Sequence, residues 1–255
     1  MEIIIKNNEK TQIFVELFQY LKLFTTTVSI SILTNKFYIQ GMDSSQVSIF
    51  EITLTKEWFD KYVVEKDTVV SMNINIFAKI LHIYTVPQDI HLSVNEDEME
   101  IKFQSEGKEF DKEFVMPLID YDSEYMVIPD KEYDLDIKIE SKKLKTIVDE
   151  LSIFGDTMTI KYDNENIVLT SKSETEGSMK TLMKIDDIDE CVVNEELETE
   201  CSFRIKYIQH MLQYHKISKY TELHFSNDTP MQCKYILDEN PENYIRFYLA
   251  PIVAD

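Results

Sequence analysis

The apolar residues of this chain fall into patterns that recur in its two halves. Two sets of apolar residues follow the i, i+3, i+4, i+7 spacing of a helix and lie 130 residues apart. The first set is Phe14, Leu17, Phe18, Leu21 and Phe24, and the second is Leu144, Ile147, Val148, Leu151 and Phe154. Each set is followed by an alternating stretch, Val28–Ile32 and Met158–Tyr162, which predicts a strand. Each half is therefore predicted to begin with a strand, which is followed by this helix and by three further strands.

A second helical stripe follows later in each half. The stripes are formed by Ile76, Phe77, Ile80, Leu81 and Tyr84, and by Ile205, Ile208, Met211 and Leu212. Both halves thus predict two helices among strands, in the same order. This is the pattern of an α+β unit that occurs twice.

The ends of the two halves also match. Phe114–Ile119 and Tyr248–Val253 both read as an aromatic residue, two further residues, a proline and two aliphatics, at an offset of 134. Upstream, Ile90–Ser93 matches Leu223–Ser226 at an offset of 133. Chance similarity of amphipathic segments is the alternative, but the shared proline favours a tandem duplication. We predict domains over residues 1–118 and 134–255, joined by a linker over residues 119–133.

The linker combines acidic residues with an apolar patch. Residues 120–132 are rich in Asp and Glu, but Met126–Ile128 is apolar and Pro129 follows it. An apolar patch in a solvated linker should either lie on the protein or stay exposed for a partner.

Composition limits the function. The chain has 255 residues, of which 44% are hydrophobic, so it can bury a core. Its 26 Lys and Arg against 47 Asp and Glu give a net charge of −21, which argues against a nucleic-acid partner if the charge is spread evenly. The four glycines are scattered, which excludes a dinucleotide fingerprint, a phosphate-binding loop and a nucleophile elbow.

No arrangement of residues predicts catalysis. Cys191, Cys201 and Cys233 form no CxxC pair, which favours buried free thiols in a reducing compartment. The acidic run 186–190 and the pair His210 and His215 lack metal-ligand spacing. Without a signal peptide or a membrane-length apolar run, we expect a soluble intracellular protein that is not an enzyme and binds no cofactor, metal or membrane. An acidic metal-dependent enzyme is the weaker alternative.

Lysine is distributed unevenly. Although lysine and arginine are the minority charges, lysine occurs on the polar side of all four predicted helices, while acid gathers in residues 120–132, 186–200 and 238–242. Any surface helix has polar residues on its outer side, but this does not explain why the charged residues there are so often positive. The bias predicts a weakly basic surface built from helices.

Four segments spread along the chain resemble one family. They are Gly41–Ser48 (GMDSSQVS), Ile128–Tyr133 (IPDKEY), Leu151–Asp156 (LSIFGD) and Tyr248–Pro251 (YLAP). Together they resemble proliferating cell nuclear antigen (PCNA), the eukaryotic-type DNA sliding clamp. The composition suggests a viral or divergent member.

The resemblance implies a DNA-clamp fold, with two helices on antiparallel sheet in each domain. It implies a homotrimeric ring closed through strands near residues 108–116 and 177–183, with helices lining a hole for double-stranded DNA. The implied partners are DNA polymerase and other replication or repair proteins with PIP-box peptides, and a clamp loader. The implied site of action is the nucleus, or a cytoplasmic replication site if the protein is viral.

The resemblance also implies two sets of functional residues. The DNA-binding channel would comprise Lys22, Lys79, His82, Lys145, Lys206 and Lys216. The partner-peptide pocket would comprise Met42, Gln46, Val47, Ile49, Met126, Ile128, Pro129, Pro230, Tyr248, Leu249, Ala250 and Pro251.

Several positions depart from the family pattern. Gln46 replaces the usual histidine at the pocket rim, and Asn164 stands where the family carries the lysine modified by ubiquitin. Usually basic channel positions carry Glu16, Thr146, Asp149 and Gln213, which shifts the expected DNA contacts toward Lys142, Lys143, Lys145 and Lys216. The alternative function is therefore a clamp-fold scaffold, or a heteromeric clamp subunit that does not encircle DNA as a homotrimer.

Overall fold

The structure is a computed structural model that describes residues 1–105, 107, 110–121, 125–129, 131–163, 165–193, 199–227 and 229–252. The elements of the first half are β1 (Glu2–Ile5), α1 (Asn8–Leu21), β2 (Thr27–Ile32), β3 (Lys36–Met42), β4 (Ser48–Thr55), β5 (Lys61–Val63), β6 (Thr68–Asn73), α2 (Ile74–Leu81), β7 (Asp89–Asn95), β8 (Glu98–Gln104) and β9 (Lys112–Pro117).

The elements of the second half are β10 (Leu135–Glu140), α3 (Ser141–Leu151), β11 (Thr157–Tyr162), β12 (Asn166–Ser173), β13 (Gly177–Lys184), β14 (Glu190–Val193), β15 (Thr199–Arg204), α4 (Ile205–Met211), β16 (Tyr220–Phe225), β17 (Met231–Ile236) and β18 (Tyr244–Leu249). Short 3-10 helices cover Lys56–Trp58, Ile185–Asp187 and Leu212–Lys216.

The two halves repeat one order of elements. Within the described residues, each half runs strand, helix, five strands, helix, three strands. This order confirms the predicted duplication of an α+β unit with two helices.

The chain forms two compact units. The first unit comprises Met1–Ser44, Phe50–Met126 and Leu237–Ile245. The second unit comprises Ser45–Ile49, Val127–Ile236 and Arg246–Asp255, described here up to residue 252.

The first unit has an aromatic core. Its antiparallel sheet has the order β5-β1-β7-β8-β9, and β2 pairs with β3 and β6. Phe18 on α1 packs at 4.9 Å from Phe14 and at 4.7 Å from Phe77 on α2, measured between ring centroids. Tilted and edge-on rings at these distances add to the free energy gained by burial, so they hold both helices on the sheet.

The core of the second unit is mainly aliphatic and contains several methionines. Strands β13-β12-β11-β15 form one antiparallel sheet, and β14-β10-β16-β17 are neighbours in another. Leu144 and Val148 of α3 are buried, as are Ile208 and Met211 of α4. Their spacing of three and four residues places them on the buried side of each helix.

The helices of the two units begin differently. Asn7 caps α1, since its side-chain oxygen accepts the Glu9 and Lys10 amides at 2.9 and 3.1 Å. Asn73 caps α2 in the same way. In the second unit, neither helix has a side-chain cap. The first amides of α3 and α4 instead donate to backbone oxygens of Lys219 and Asp156.

Several details of the predicted helices are wrong. Ile76 is not part of the buried stripe of α2, because its side chain is 41% exposed. The buried residues are Ile74, Phe77, Ala78, Ile80 and Leu81, and all of them except Ile80 follow the i, i+3, i+4, i+7 spacing from the first residue of the helix. Phe24 is buried but lies beyond α1, which ends at Leu21. In the same way Tyr84 lies beyond α2, Phe154 lies beyond α3, and Leu212 begins the 3-10 turn that follows α4.

Candidate functional surfaces

Helices α1 and α2 present basic residues at their C-terminal ends. Lys22 follows α1, is exposed and donates to the side chain of Gln19 at 3.4 Å. Lys79 and His82 are exposed at the end of α2. The Gln19 amide also donates to the Ala78 carbonyl at 2.5 Å, which ties the two helices together beside these cations.

Helices α3 and α4 carry exposed lysines and one partly compensated lysine. Lys206 and Lys216 are exposed. Lys145 is only half-exposed and forms an ion pair with Asp149, one turn further along α3. Asp149 also accepts from the Gln209 amide on α4 at 3.3 Å. The charge of Lys145 is therefore partly compensated within its own helix.

The helices differ in charge from the rest of the chain. Together with the residue after each of α1 and α2 and the 3-10 turn after α4, they carry eight lysines against four acidic residues. The other residues must hold the whole excess of acid in a chain of net charge −21. The helical segments are therefore the basic part of an acidic protein, as the sequence predicts.

The start of the linker lies on the first unit. The side-chain oxygen of Gln40 on β3 accepts the Met126 amide at 2.8 Å, and its side-chain nitrogen donates to the Met126 carbonyl at 3.0 Å. Gln40 is 7% exposed, so this pairing takes place in a largely dry setting. Met126 is half-buried as a result.

Tyrosines connect the same stretch to the sheet of the first unit. The Tyr125 hydroxyl is hydrogen-bonded to Ser31, and its ring lies 6.0 Å from that of Tyr38. The Ser71 hydroxyl donates to the Tyr121 carbonyl at 3.1 Å. Ser31 and Tyr38 are directly opposite each other on β2 and β3, so they form one polar face.

The side chains after Met126 differ in exposure. Val127 is 94% exposed and Pro129 is exposed, while Ile128 is half-buried. The sequence predicts that the apolar patch either lies on the protein or stays exposed, and both outcomes occur at different residues. Met126 is bound to the sheet, and Val127 faces solvent.

Two predicted pocket segments meet in the second unit. The Ala250 amide donates to the Val47 carbonyl at 3.0 Å, which joins the YLAP segment to the segment that carries Gln46. Gln46 is exposed and has a φ of 57°, in the left-handed region. Leu249 is fully buried, so its side chain belongs to the core of the unit and not to its surface.

The remaining predicted pocket residues are partly or fully accessible. Met42 of the first unit is half-buried. In the second unit, Ile49, Tyr248 and Pro251 are half-buried, and Pro230 and Ala250 are exposed.

A polar groove borders Tyr248 and Pro129 within the second unit. His224 Nδ1 lies 2.6 Å from a carboxylate oxygen of Asp136, and the Arg246 guanidinium lies 5.4 Å from the Tyr248 ring. Burial raises the pKa of Tyr133, an effect that the nearby Arg246 opposes. Burial therefore favours the neutral form of the Tyr133 phenol.

The predicted ring-forming strands are sheet edges. β9 ends the sheet of the first unit, and β13 ends the β13-β12-β11-β15 sheet. Val115 on β9 and Leu182 on β13 are more than half exposed. An edge with exposed apolar residues is a template for pairing with another chain.

Some predicted features lie outside the described residues. These are Asn164, residues 108 and 109 of the predicted N-terminal edge, and residues 122–124 and 130 of the linker. Among the residues that the structure does describe, no helix is long and apolar enough to span a membrane. Within the same set, no three or more His, Cys, Asp or Glu side chains group as metal ligands.

Sequence reasoning missed Gln40, Tyr121 and Tyr125. A weak signal for them exists, because Tyr38 and Gln40 alternate with the apolar residues Phe37 and Ile39 on β3. The polar face that this alternation creates is normally read as solvent-facing. Here the linker covers it.

The chain matches known proteins over nearly its whole length. Residues 4–125 match the family described as proliferating cell nuclear antigen, N-terminal domain, and residues 127–252 match its C-terminal domain. A similar solved structure is the PCNA2-PCNA3 complex from Sulfolobus tokodaii, with a TM-score of 0.86 and 22% identity over 98% of this chain and 99% of that chain. The fold is thus the duplicated DNA-clamp fold. The chain belongs to the PCNA family, whose members are non-enzymatic sliding clamps.

Proposed function

We propose that this protein is a sliding clamp whose ring encloses double-stranded DNA and tethers DNA polymerase and other replication or repair proteins to it. The observation that carries the proposal is the charge of the helices. Lys22, Lys79 and Lys206 are exposed on helical segments that hold eight lysines against four acids in a strongly acidic chain. DNA phosphates attract such a basic surface whatever the base sequence of the DNA.

The mechanism is topological. A closed ring leaves DNA only by opening or at a DNA end, so its contacts with phosphate can remain weak. Weak contacts allow sliding, and a polymerase held by the ring gains a high effective concentration at the primer end. The acidic remainder of the chain repels DNA from other surfaces. A clamp loader would open the ring. The protein would act where the DNA is replicated, in the nucleus or at a cytoplasmic site.

The two edge strands support a ring made of identical chains. Exposed residues of β9 include Glu113 and Val115, and those of β13 include Lys180 and Leu182. Both strands are sheet edges with an exposed apolar residue, so β9 of one copy can pair with β13 of the next. Head-to-tail contact of this kind generates a closed ring when the rotation fits.

A heteromeric clamp is the second candidate. It is favoured by the similar solved structure, which is a complex of two different PCNA chains. In that case one edge of this chain would pair with a different subunit.

Partner proteins would dock a short peptide that has an aliphatic anchor and aromatic side chains. The accessible apolar residues of the predicted pocket suit such a peptide, whereas Leu249 would support it from the core. The residues assigned to this site are Met42, Gln46, Val47, Ile49, Met126, Ile128, Pro129, Pro230, Tyr248, Ala250 and Pro251.

Two measurements test the proposal. Light scattering should give three times the chain mass of 30.1 kDa for the purified protein. After loading on a nicked circular plasmid with a clamp loader, the protein should resist a high-salt wash and be released when the plasmid is cut. If the purified protein is a monomer and forms a trimer only with different subunits from its own cell, the heteromeric candidate is favoured. Equal release from circular and cut plasmid would contradict encirclement.

A further inference from the structure

A single side chain binds both backbone groups of one linker residue. Gln40 accepts from the Met126 amide and donates to the Met126 carbonyl, at 2.8 and 3.0 Å. This is the pattern by which a neighbouring strand would bind that residue, but a side-chain amide supplies it. We infer that Gln40 is a positioning residue, which fixes the linker backbone at Met126 before a partner peptide arrives. The inference rests on the proposed partner site, to which Met126 belongs.

The position of Gln40 along the linker supports this role. Upstream, Tyr121 and Tyr125 are held to the same sheet face through Ser71 and Ser31. Directly downstream, Val127 is 94% exposed. Gln40 thus makes the last of these three contacts along the chain, directly before the solvent-facing Val127.

A fixed Met126 lowers the entropy lost when a peptide binds. A linker that is mobile before binding must be ordered by the partner, and this cost reduces the affinity. In the fraction of molecules in which the Gln40 bonds are broken, the site would be incomplete, and the apparent affinity falls with that fraction.

The first test is amide hydrogen exchange at Met126. Gln40→Met keeps the side-chain volume but removes both hydrogen bonds, and Gln40→Glu keeps only the acceptor. We expect Met126 to exchange about tenfold faster in Gln40→Met, and no more slowly in Gln40→Glu, whose second carboxylate oxygen would repel the Met126 carbonyl. The control is Tyr38→Phe on the same strand, which removes the 2.8 Å bond from its hydroxyl to Glu51 and keeps the ring beside Tyr125.

The second test is the affinity for a fluorescent synthetic peptide with one aliphatic and two aromatic residues. Gln40→Met should weaken binding by about five- to tenfold, and Tyr38→Phe should not. Both variants should have the melting temperature of the wild type, so that the loss of affinity is not due to unfolding. Unchanged exchange at Met126, or faster exchange with unchanged affinity, would overturn the inference. A wild-type protein that does not bind the peptide would overturn the proposed partner site and the role of Gln40 in it. The exchange rate at Met126 separates that result from a failure of Gln40 to hold the linker.

Discussion

Lys145 and Asp149 form an ion pair one turn apart on α3. A position expected to contact DNA is therefore compensated within its own helix, and Asp149 is also bound to Gln209 on α4. An i, i+4 pair of this kind contributes little to stability but cancels much of the local field.

Asp149→Asn should release Lys145 for phosphate contact. We expect several-fold tighter binding to duplex DNA and a log–log salt slope steeper by roughly 1, measured by fluorescence anisotropy. Glu150→Gln is the matched control, because it makes the same charge change at an exposed neighbour on α3. An equal effect in both variants would mean that only net charge matters.

Charge reversal should locate the DNA-facing surface. Lys22→Glu, Lys79→Glu and Lys206→Glu together should reduce processive synthesis at least tenfold and leave the assembly intact, because they replace attraction to phosphate by repulsion. The control triple Lys56→Glu, Lys66→Glu and Lys172→Glu makes the same change at exposed lysines outside the four helices. Primer extension on a long template gives the measurement. Comparable losses in both triples would remove the helices from the DNA-binding role.

The linker offers a matched pair for the partner site. Ile128→Asp should weaken binding of the aromatic probe peptide by at least about thirtyfold, since a charge at a contact centre costs roughly 2 kcal/mol or more. Val127→Asp should have little effect, because that side chain already faces solvent. Isothermal titration measures both. Retained affinity in Ile128→Asp would place the pocket elsewhere.

The edge strand β13 should be required for assembly. Leu182→Asp buries a charge in the proposed contact between copies and should convert the trimer to a chain of 30.1 kDa in light scattering. Ile153→Asp is the control, because Ile153 is 64% exposed and lies in the turn after α3. A trimer that survives Leu182→Asp would exclude β13 from the interface.

Gly155 should be intolerant of a side chain. A Cβ at this position would lie 2.7 Å from the Lys172 carbonyl oxygen and 2.9 Å from the Ser171 hydroxyl. Gly155→Ala should therefore cost about 2 kcal/mol of unfolding free energy in a denaturant titration. Gly107→Ala, with its nearest contact at 3.5 Å, should cost much less. Equal stability of the two variants would show that the backbone near Gly155 can adjust.

The sequence by itself determined the duplicated α+β architecture and the basic character of the helices. Helical periodicity places Phe14 and Phe18 in the core because a helix has only one buried stripe, and lysines on the other side stay accessible. The same reasoning failed for Ile76, because periodicity does not indicate the residue at which a helix begins.

Only the tertiary structure decided what each polar side chain binds. The pairing of Gln40 with Met126 joins residues 86 positions apart, and the pairing of Asp149 with Gln209 joins residues 60 apart. Hydrogen bonds between residues so distant in sequence depend on strand register and helix packing, which local patterns do not specify. The sequence therefore determined which segments are apolar or basic, and the fold determined that Asp149 also binds Gln209, that Leu249 is internal and that the linker is fixed at Met126.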